Sequence, residues 1–227
     1  SQIICQQNFS FLPISNIGNP DWEKNLDNKK KLSLYIPLQM FPEATIDYWC
    51  DNLEAIRYYE TLESLIKKLH KNFNIFIKEH PDVLGLRPKK FYTKIDKDKR
   101  VTLIPTYTNS NYVIKKTDAV LVWTGTVGFD AIIRGKPAFA FGQPFYASGK
   151  RFLKIDLNIK INKMINHIFF CKQNLITKTE QKKILKNVTQ QLYKGRYKNH
   201  IYWSKDNPKD IKDIKQMASS CKYQFKN

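Results

Sequence analysis

Short apolar runs that alternate with polar or helix-like segments constrain the fold of this chain more than any other feature. Five of them have the length of strands: LSLYIP (32–37), NIFI (74–77), VTLIP (101–105), AVLVW (119–123) and AFAF (138–141). Residues 44–71 place apolar side chains at steps of three and four, which predicts one long amphipathic helix. Strands that alternate with helices form a parallel sheet with helices on both faces. The sequence therefore predicts an α/β, Rossmann-like fold.

The strand pattern stops at about residue 155. The stretches INKMINHIFF (161–170) and EQKKILKNVTQQLY (180–193) predict helices, and a tail rich in Lys, Asp and Tyr follows them. We expect three regions: an N-terminal segment or linker over residues 1–30, a Rossmann-like lobe over 31–155, and a helical C-terminal extension over 156–227.

Composition narrows the class of protein. No run of about 18 apolar residues exists, and the N-terminus lacks the layout of a signal peptide, so we expect neither a membrane span nor secretion, and a cytoplasmic location. The cysteines are scattered, without a CxxC pair or a histidine at ligand spacing, which favours reduced thiols over disulfides or a zinc site. They are Cys5, Cys50, Cys171 and Cys221.

The net charge of +19 suggests a polyanionic partner such as nucleic acid or an anionic membrane. Arginine, which is typical of phosphate and base recognition, accounts for only six of the 39 basic residues. A solvated lysine-rich surface explains the charge without any partner, and we do not expect nucleic acid. A basic face toward a polyanion, an acidic glycan or a membrane stays an alternative.

The loops that follow the strands hold the chemically unusual residues. In an open parallel sheet, ligands bind outside the carboxyl ends of the strands, so these loops should face one cleft. They are PLQMFPEAT (37–45), KEHPD (78–82), TGTVG (124–128) and GQPFYASGK (142–150).

The KEHPD loop offers a cationic or hydrogen-bonding group. Pro81 biases His80 toward an extended conformation, which would aim the imidazole at a phosphate, and Lys78 adds positive charge at the same strand end. The alternative is that His80 only caps a turn.

The TGTVG loop has the residues of an anion-binding turn. Gly125 and Gly128 allow a tight turn or the close approach of a ligand, and the hydroxyl of Thr124 or Thr126 is expected to cap the next helix. The alternative is an ordinary helix start with no ligand. Asp130 suits the first turn of that helix through the helix dipole, or would accept from a ribose hydroxyl.

Two further side chains have a binding and a structural interpretation. Glu43 either complements the dipole of the following helix or contacts the sugar or leaving group, and Tyr146 either stacks on a ligand or packs. No DxD motif is present outside DKDK (96–99) in a Lys-rich loop, so we expect no metal ion and no other cofactor.

Three motifs together resemble one family. YIPLQMFPEATIDYW, FIKEHPDVLGLRPKKFY and AVLVWTGTVGFDAIIRGKPAFAFGQPFY, in this order, are similar to the capsular polysaccharide biosynthesis family, which includes bacterial enzymes that add Kdo from CMP-Kdo. The resemblance covers residues 32–155. Three linked motifs are far more specific than any one of them.

The resemblance implies a GT-B glycosyltransferase whose C-terminal lobe holds a nucleotide-sugar, here a CMP-sugar as substrate. It implies that His80 and the Thr124-Gly125-Thr126 turn bind the donor phosphate and that Glu43 lies beside the donor. Asp130 stands where similar sequences usually carry Glu. The implied partners are a glycan or glycolipid acceptor and, through lysines and aromatics near the C-terminus, the inner face of the membrane.

Other functions stay open at this point. About 30 residues precede the first strand, too few for the lobe that would bind the acceptor and supply a catalytic base. A related transferase that moves a polyol phosphate from a CDP-polyol, or sialic acid, would share this lobe. A non-catalytic basic module for polyanions and a degenerate lobe kept for assembly are the non-enzymatic alternatives.

Overall fold

The computed structural model describes residues 18–27, 30–42 and 44–189, together with 208, 209, 211, 212, 214–216 and 219. The chain divides into two compact units, Ser1–Gln181 and Lys182–Asn227. The first unit contains the whole six-stranded β-sheet, and the second begins inside the helix Lys178–Thr189.

The sheet has six strands, all parallel to their neighbours. They are β1 (Leu32–Pro37), β2 (Phe73–Lys78), β3 (Val101–Ile104), β4 (Ala119–Val122), β5 (Ala138–Ala140) and β6 (Phe152–Lys154). Their order, β3-β2-β1-β4-β5-β6, is that of a Rossmann fold. The predicted α/β, Rossmann-like class is therefore confirmed, and the strand order reverses between β1 and β4.

Helices connect the strands. The α-helices are α1 (Ala44–Trp49), α2 (Leu53–Ile56), α3 (Tyr58–Leu69), α4 (Lys89–Asp96), α5 (Ser110–Lys116), α6 (Val127–Ile133), α7 (Ile161–Gln173) and α8 (Lys178–Thr189). Among the described residues, two 3₁₀ helices span Trp22–Asp27 and Pro81–Val83. No helix in the described part of the chain combines the length and the apolar character that crossing a membrane requires.

The core lies on both faces of the sheet, which explains the unbroken apolar character of the central strands. All four residues of β4 are buried, and α3 buries one apolar side against the sheet. Trp123, directly after β4, is fully buried, with its ring 5.1 Å from that of Phe141 and 4.5 Å from that of Tyr58.

Two polar clusters anchor the connections. The carboxylate of Asp118 accepts hydrogen bonds from the N–H (2.7 Å) and the hydroxyl (2.9 Å) of Ser33, which ties the starts of β1 and β4 together. The fully buried Arg151 pairs with Glu180 at 3.0 Å and donates to the carbonyl groups of Gly135 and Asn174. Arg151 thereby holds the turn between α7 and α8 at the β6 side of the sheet.

The prediction of one long helix over residues 44–71 is wrong, because that segment forms α1, α2 and α3. The Asn52 side chain accepts from the N–H of Glu54 at 2.8 Å and starts a new helix, since a capping side chain offers the backbone an alternative to continued helix. Leu53 and Ile56, which fit the helical period, are 79% and 47% exposed. Their spacing therefore did not mark a buried face.

The remaining differences lie toward the C-terminus. β6 was not predicted, because its three half-buried residues at the sheet edge form no apolar run. The helices predicted over 161–170 and 180–193 correspond to α7 and, up to Thr189, to α8. Residues 190–193, the segment 1–17 and most of the predicted tail lie outside the described residues, and the predicted region boundaries stay predictions.

Candidate functional site

A cleft of about 220 Å³ opens at the carboxyl edge of the sheet, next to the ends of β1 and β4. This is where the strand order reverses, the place at which open α/β sheets bind ligands. Each of the four loops predicted to face one cleft contributes to its wall. The lining residues are Pro37, Leu38, Gln39, Met40, Thr45, Trp49, His80, Val122, Thr124, Gly125, Thr126, Val127 and Phe145.

Gln39 joins two of these loops. Its side-chain oxygen accepts from the N–H of Thr124 at 2.9 Å, and its side-chain nitrogen donates to the hydroxyls of Thr124 (2.5 Å) and Thr45 (3.1 Å). The two hydroxyls lie 3.0 Å apart. The buried amide therefore fixes the loop after β1 against the turn after β4.

The Thr124-Gly125-Thr126 turn presents free backbone donors. The N–H groups of Gly125 and Thr126, unlike that of Thr124, have no hydrogen-bond partner among the described residues. The prediction that a threonine hydroxyl caps α6 is wrong. The Thr124 hydroxyl is engaged by Gln39, and Thr126, at the N-cap, has helical φ and ψ of −62° and −18° and makes no side-chain cap bond, whereas capping side chains act from an extended backbone.

Tyr146 supports this turn from below. Its hydroxyl is buried and donates to the carbonyl oxygen of Gly125 at 2.5 Å, and burial raises its pKa. A Cβ atom at Gly128 would lie 2.3 Å from the same hydroxyl. In this structure Tyr146 therefore packs against the turn, which is the second of its two interpretations. Neither Tyr146 nor Gly128 lines the cleft, and both shape the turn that does.

His80 caps a turn and also lines the cleft. Its backbone is extended, as Pro81 predicts, and Pro81 itself begins the 3₁₀ helix. The ring atom Nδ1 accepts from the N–H of Asp82 at 3.2 Å. In a neutral imidazole this places the hydrogen on Nε2, which is then a donor for a ligand.

Two other predicted residues, Lys78 and Asp130, do not line the cleft. The buried Lys78 ammonium donates to the carbonyl groups of Glu79 (3.4 Å) and Thr106 (3.1 Å), and burial lowers the pKa of Lys78. Asp130 lies on α6 with its carboxylate 3.5 Å from Arg134. Glu43 lies outside the described residues.

A buried ion pair beneath the cleft was not predicted. Arg87 Nε and Nη2 lie 2.7 and 3.0 Å from the two carboxylate oxygens of Glu79, and Nη2 also donates to the carbonyl oxygen of Gln39 at 2.5 Å. The Tyr92 hydroxyl donates to Glu79 at 2.9 Å. Burial and the Glu79 charge raise the pKa of Tyr92 to about 12.

Burial alone would lower the pKa of Arg87, but the hydrogen bonds that Arg87 donates to Glu79 and the nearby negative charge outweigh burial and raise this pKa above the ordinary value. The guanidinium is therefore fully charged under all conditions in which the protein folds. Sequence reasoning passed over this pair although Glu79 stands between two predicted residues, Lys78 and His80.

Four further lining residues were not predicted from the sequence, although they lie in the motifs that resemble the capsule family: Gln39, Thr45, Trp49 and Phe145. Trp49 and Phe145 form an aromatic wall with ring centroids 6.3 Å apart. The signal that could have identified these residues is their place in the connections that follow β1 and β5, at the edge where ligands bind: Gln39 and Phe145 lie in the loops, and Thr45 and Trp49 lie on α1.

The cleft carries little charge of its own. Among its described lining residues, His80 is the one with an ionisable side chain. No group of three His, Cys, Asp or Glu residues suited to a metal occurs within residues 18–189 where the structure describes them. The cleft thus offers hydroxyl, amide, imidazole and backbone donors beside aromatic rings, an arrangement that suits an anionic group attached to a ring system.

Comparison with known proteins agrees with the motifs. The family model of the capsule polysaccharide biosynthesis proteins matches residues 15–150. The chain belongs to this family. The resemblance inferred from the three motifs is thereby confirmed, and the matched residues include every lining residue of the cleft.

Family relatives are larger than this chain. The capsule polysaccharide modification protein LipA of Neisseria meningitidis serogroup B is 32% identical over 92 residues, 40% of this chain and 13% of LipA. The lipopolysaccharide-processing protein LpsZ of Rhizobium meliloti is 27% identical over 146 residues, 63% of this chain and 32% of LpsZ. The chain thus spans a third or less of these curated relatives.

Two solved structures of KpsC from Thermosulfurimonas dismutans are also similar. The β-Kdo 2,4 transferase has a TM-score of 0.47 and 17% identity, over 70% of this chain and 44% of that one. The β-Kdo 2,7 transferase has a TM-score of 0.45 and 24% identity, over 67% of this chain and 53% of that one.

Proposed function

We propose that this chain is the donor-binding lobe of a GT-B glycosyltransferase that acts in capsule or surface polysaccharide synthesis. The donor is a CMP-sugar, with Kdo or a similar acidic sugar as the transferred group. One observation carries the proposal: three motifs of the capsule family, far apart in the sequence, deliver polar groups to one cleft at the switch point of a Rossmann sheet.

The donor phosphate fits at the Thr124-Gly125-Thr126 turn. The free N–H groups of Gly125 and Thr126, the hydroxyl of Thr126 and the Nε2–H of His80 are the donors available to it. The aromatic wall of Trp49 and Phe145 suits the nucleoside, since rings and apolar surface line most nucleotide sites.

These donors would assist departure of the nucleotide. In the transfer, the bond between the anomeric carbon and the phosphate oxygen breaks, and negative charge develops on CMP. Donors already oriented toward that charge lower the barrier. Among these donors, His80 is the one that mutation removes most readily. The acceptor hydroxyl then forms the new glycosidic bond and loses its proton to a base.

None of the described lining residues of the cleft is a carboxylate, and His80, the ionisable side chain among them, is assigned to the donor phosphate, so we expect the base to come from elsewhere. Glu79 is buried and fully bonded to Arg87, Tyr92 and the His80 N–H. The placement of Glu43 beside the donor stays a prediction from the family resemblance, and a separate acceptor-binding lobe is the expected source of the base. The acceptor is a glycan or glycolipid, at the inner face of the membrane.

His80→Ala tests the site. We expect the affinity for CMP, measured by isothermal titration calorimetry, to fall at least tenfold because a charged or neutral donor to the phosphate is lost. His70→Ala, at the end of α3, is the matched control and should bind CMP as the wild type does. Equal affinity in the wild type and His80→Ala would remove His80 from the site.

A titration of the wild type with CMP, CDP, UDP and GDP at two salt concentrations identifies the donor class, because a ligand of the native state raises its stability. Selective stabilisation by CMP supports the proposal, and competition between CMP-Kdo and CMP-sialic acid then separates the two sugars. A preference for CDP favours polyol-phosphate transfer. Binding without nucleotide preference that weakens steeply with salt favours a polyanion-binding module. Absence of any nucleotide effect favours a degenerate lobe.

A further inference from the structure

The buried pair Glu79–Arg87 connects two loops that line the cleft, those that carry His80 and Gln39. We infer that this pair is a positioning element, which sets the place of the His80 imidazole relative to the Gln39–Thr124 side of the cleft. The inference rests on the proposed function only for its consequence in donor binding, and its geometric part is testable without any nucleotide.

Arg87 uses its fork to reach two loops at once. Two of its nitrogens bind the carboxylate of Glu79, directly after β2, and one of them also donates to the backbone carbonyl of Gln39, directly after β1. Its guanidinium carbon lies 5.5 Å from the ring centre of Tyr58 and 5.7 Å from that of Phe91. A lysine ammonium is a single point of charge and cannot span these partners in the same way.

Both wall residues are held through their main chains. The N–H of His80 donates to Glu79 Oε1 at 2.7 Å, so the carboxylate fixes the residue whose ring lines the cleft. The N–H of Gln39 donates to the Tyr58 hydroxyl at 2.9 Å, while its carbonyl accepts from Arg87. The Gln39 side chain in turn holds Thr124. A continuous set of hydrogen bonds thus runs from His80 to the phosphate-binding turn.

Stability alone does not explain the pair. Glu79 and Arg87 are 1% and 5% exposed, and the cost of removing two charges from water consumes most of their attraction. Apolar residues of the same volume would serve a core equally well. What apolar residues cannot do is fix, through directional bonds, the backbones of two loops that line one binding cleft.

Arg87→Lys and Glu79→Gln test the positioning role. Arg87→Lys keeps the charge and removes the fork. Glu79→Gln keeps the shape of the side chain but replaces one acceptor oxygen with an amide NH₂ group, which then faces a hydrogen-bond donor. The matched control is Arg151→Lys, since Arg151 is also buried, also pairs with a glutamate and also donates to backbone carbonyls, at the β6 side of the sheet.

We expect both Glu79→Gln and Arg87→Lys to weaken CMP binding at least tenfold, while Arg151→Lys stays within twofold of the wild type although its melting temperature also falls. In a His80→Ala background, Arg87→Lys should weaken binding threefold or less, because part of its effect acts through His80. Equal losses of affinity in Arg87→Lys and Arg151→Lys, or full additivity with His80→Ala, would overturn the inference.

Nitrogen-15 spectra of the histidine rings separate this inference from the proposed function. In the nucleotide-free wild type and in Arg151→Lys, His80 should show a single set of signals with hydrogen on Nε2, because Nδ1 accepts from Asp82. In Arg87→Lys and Glu79→Gln we expect shifted or additional ring signals. If no nucleotide binds the wild type but the His80 signals change as expected, the proposed function fails and the positioning role stands. Unchanged His80 signals in both variants overturn the positioning role whatever CMP does.

Discussion

Replacing Gly128 with alanine would place a methyl group 2.3 Å from the Tyr146 hydroxyl and 2.8 Å from ring atom Cζ. The ring has little room to move, since Tyr146 is 1% exposed and lies within 5.1 to 6.3 Å of the rings of Phe129, Phe145 and Phe152. Relief of the clash therefore requires the hydroxyl to leave the carbonyl of Gly125, and the Thr124-Gly125-Thr126 turn loses its support.

The magnitude follows from three effects. Overpacking of a buried site costs about 1–3 kcal/mol, and a buried hydroxyl and carbonyl left without each other cost about 1–3 kcal/mol. Alanine is better than glycine inside a helix by about 1 kcal/mol, which offsets part of the loss. We expect Gly128→Ala to lower the free energy of unfolding by about 3 kcal/mol in urea denaturation extrapolated to water.

Two further variants make the test specific. At Gly125 the nearest atom to an added Cβ would be 3.8 Å away, so Gly125→Ala should change the free energy of unfolding by less than about 1 kcal/mol. Tyr146→Phe removes the atom that Gly128→Ala strikes first, and the double variant should be at least about 1 kcal/mol more stable than the two single effects predict. A stability of Gly128→Ala equal to that of the wild type, or strict additivity with Tyr146→Phe, would refute the packing argument.

Two other predictions concern pH and metal. Burial raises the pKa of Asp118, but hydrogen bonds from Lys172 and Ser33 outweigh burial and hold this pKa below its ordinary value. The resulting stability is present above about pH 4 and is lost as the pH falls through the lowered pKa. Asp118→Asn should therefore lower the free energy of unfolding, measured by urea denaturation, by about 2 kcal/mol at pH 7 and by much less near pH 2. An equal loss at both pH values would contradict this role of Asp118. We also expect EDTA to leave CMP affinity within twofold, because the sequence has no DxD motif outside a Lys-rich loop; a loss that Mg²⁺ restores would show that a divalent ion takes part.

The sheet was predictable from the sequence to the extent that its strands are buried on both faces. Such strands are unbroken apolar runs, and five of the six were located in this way. β6 pairs with β5 at the edge of the sheet and contains the charged Lys154, so no local pattern marks it. Over residues 44–71 the error was the reverse, because a local pattern was present where no continuous helix forms. Leu53 and Ile56 keep the spacing of a buried face but are exposed, because Asn52 starts a new helix.

The loops around the cleft were predictable because parallel strands end at a common edge, but the side chains that reach the cleft were not. Gln39 and Thr124 are separated by 85 positions and meet only because β1 and β4 are neighbours at the switch point. Lys78 stands at a strand end like the residues that line the cleft, yet its ammonium donates to the carbonyl of Glu79 and to that of Thr106, which follows β3. Whether such a side chain reaches the cleft depends on which strands are neighbours in the sheet, and local sequence patterns do not encode this.

The Glu79–Arg87 pair shows how a role can depend on a turn. After His80 the chain makes a 3₁₀ helix and then reverses at Gly85, whose φ of +82° is one that glycine adopts without strain. The Gly85 N–H donates to the Tyr92 hydroxyl at 3.1 Å, and that hydroxyl donates to Glu79. The reversal therefore brings Arg87 back beneath the strand end it has just left. Such a segment has neither a helical nor a strand periodicity. Periodicity therefore cannot identify Glu79 and Arg87, although they connect the loops of the cleft.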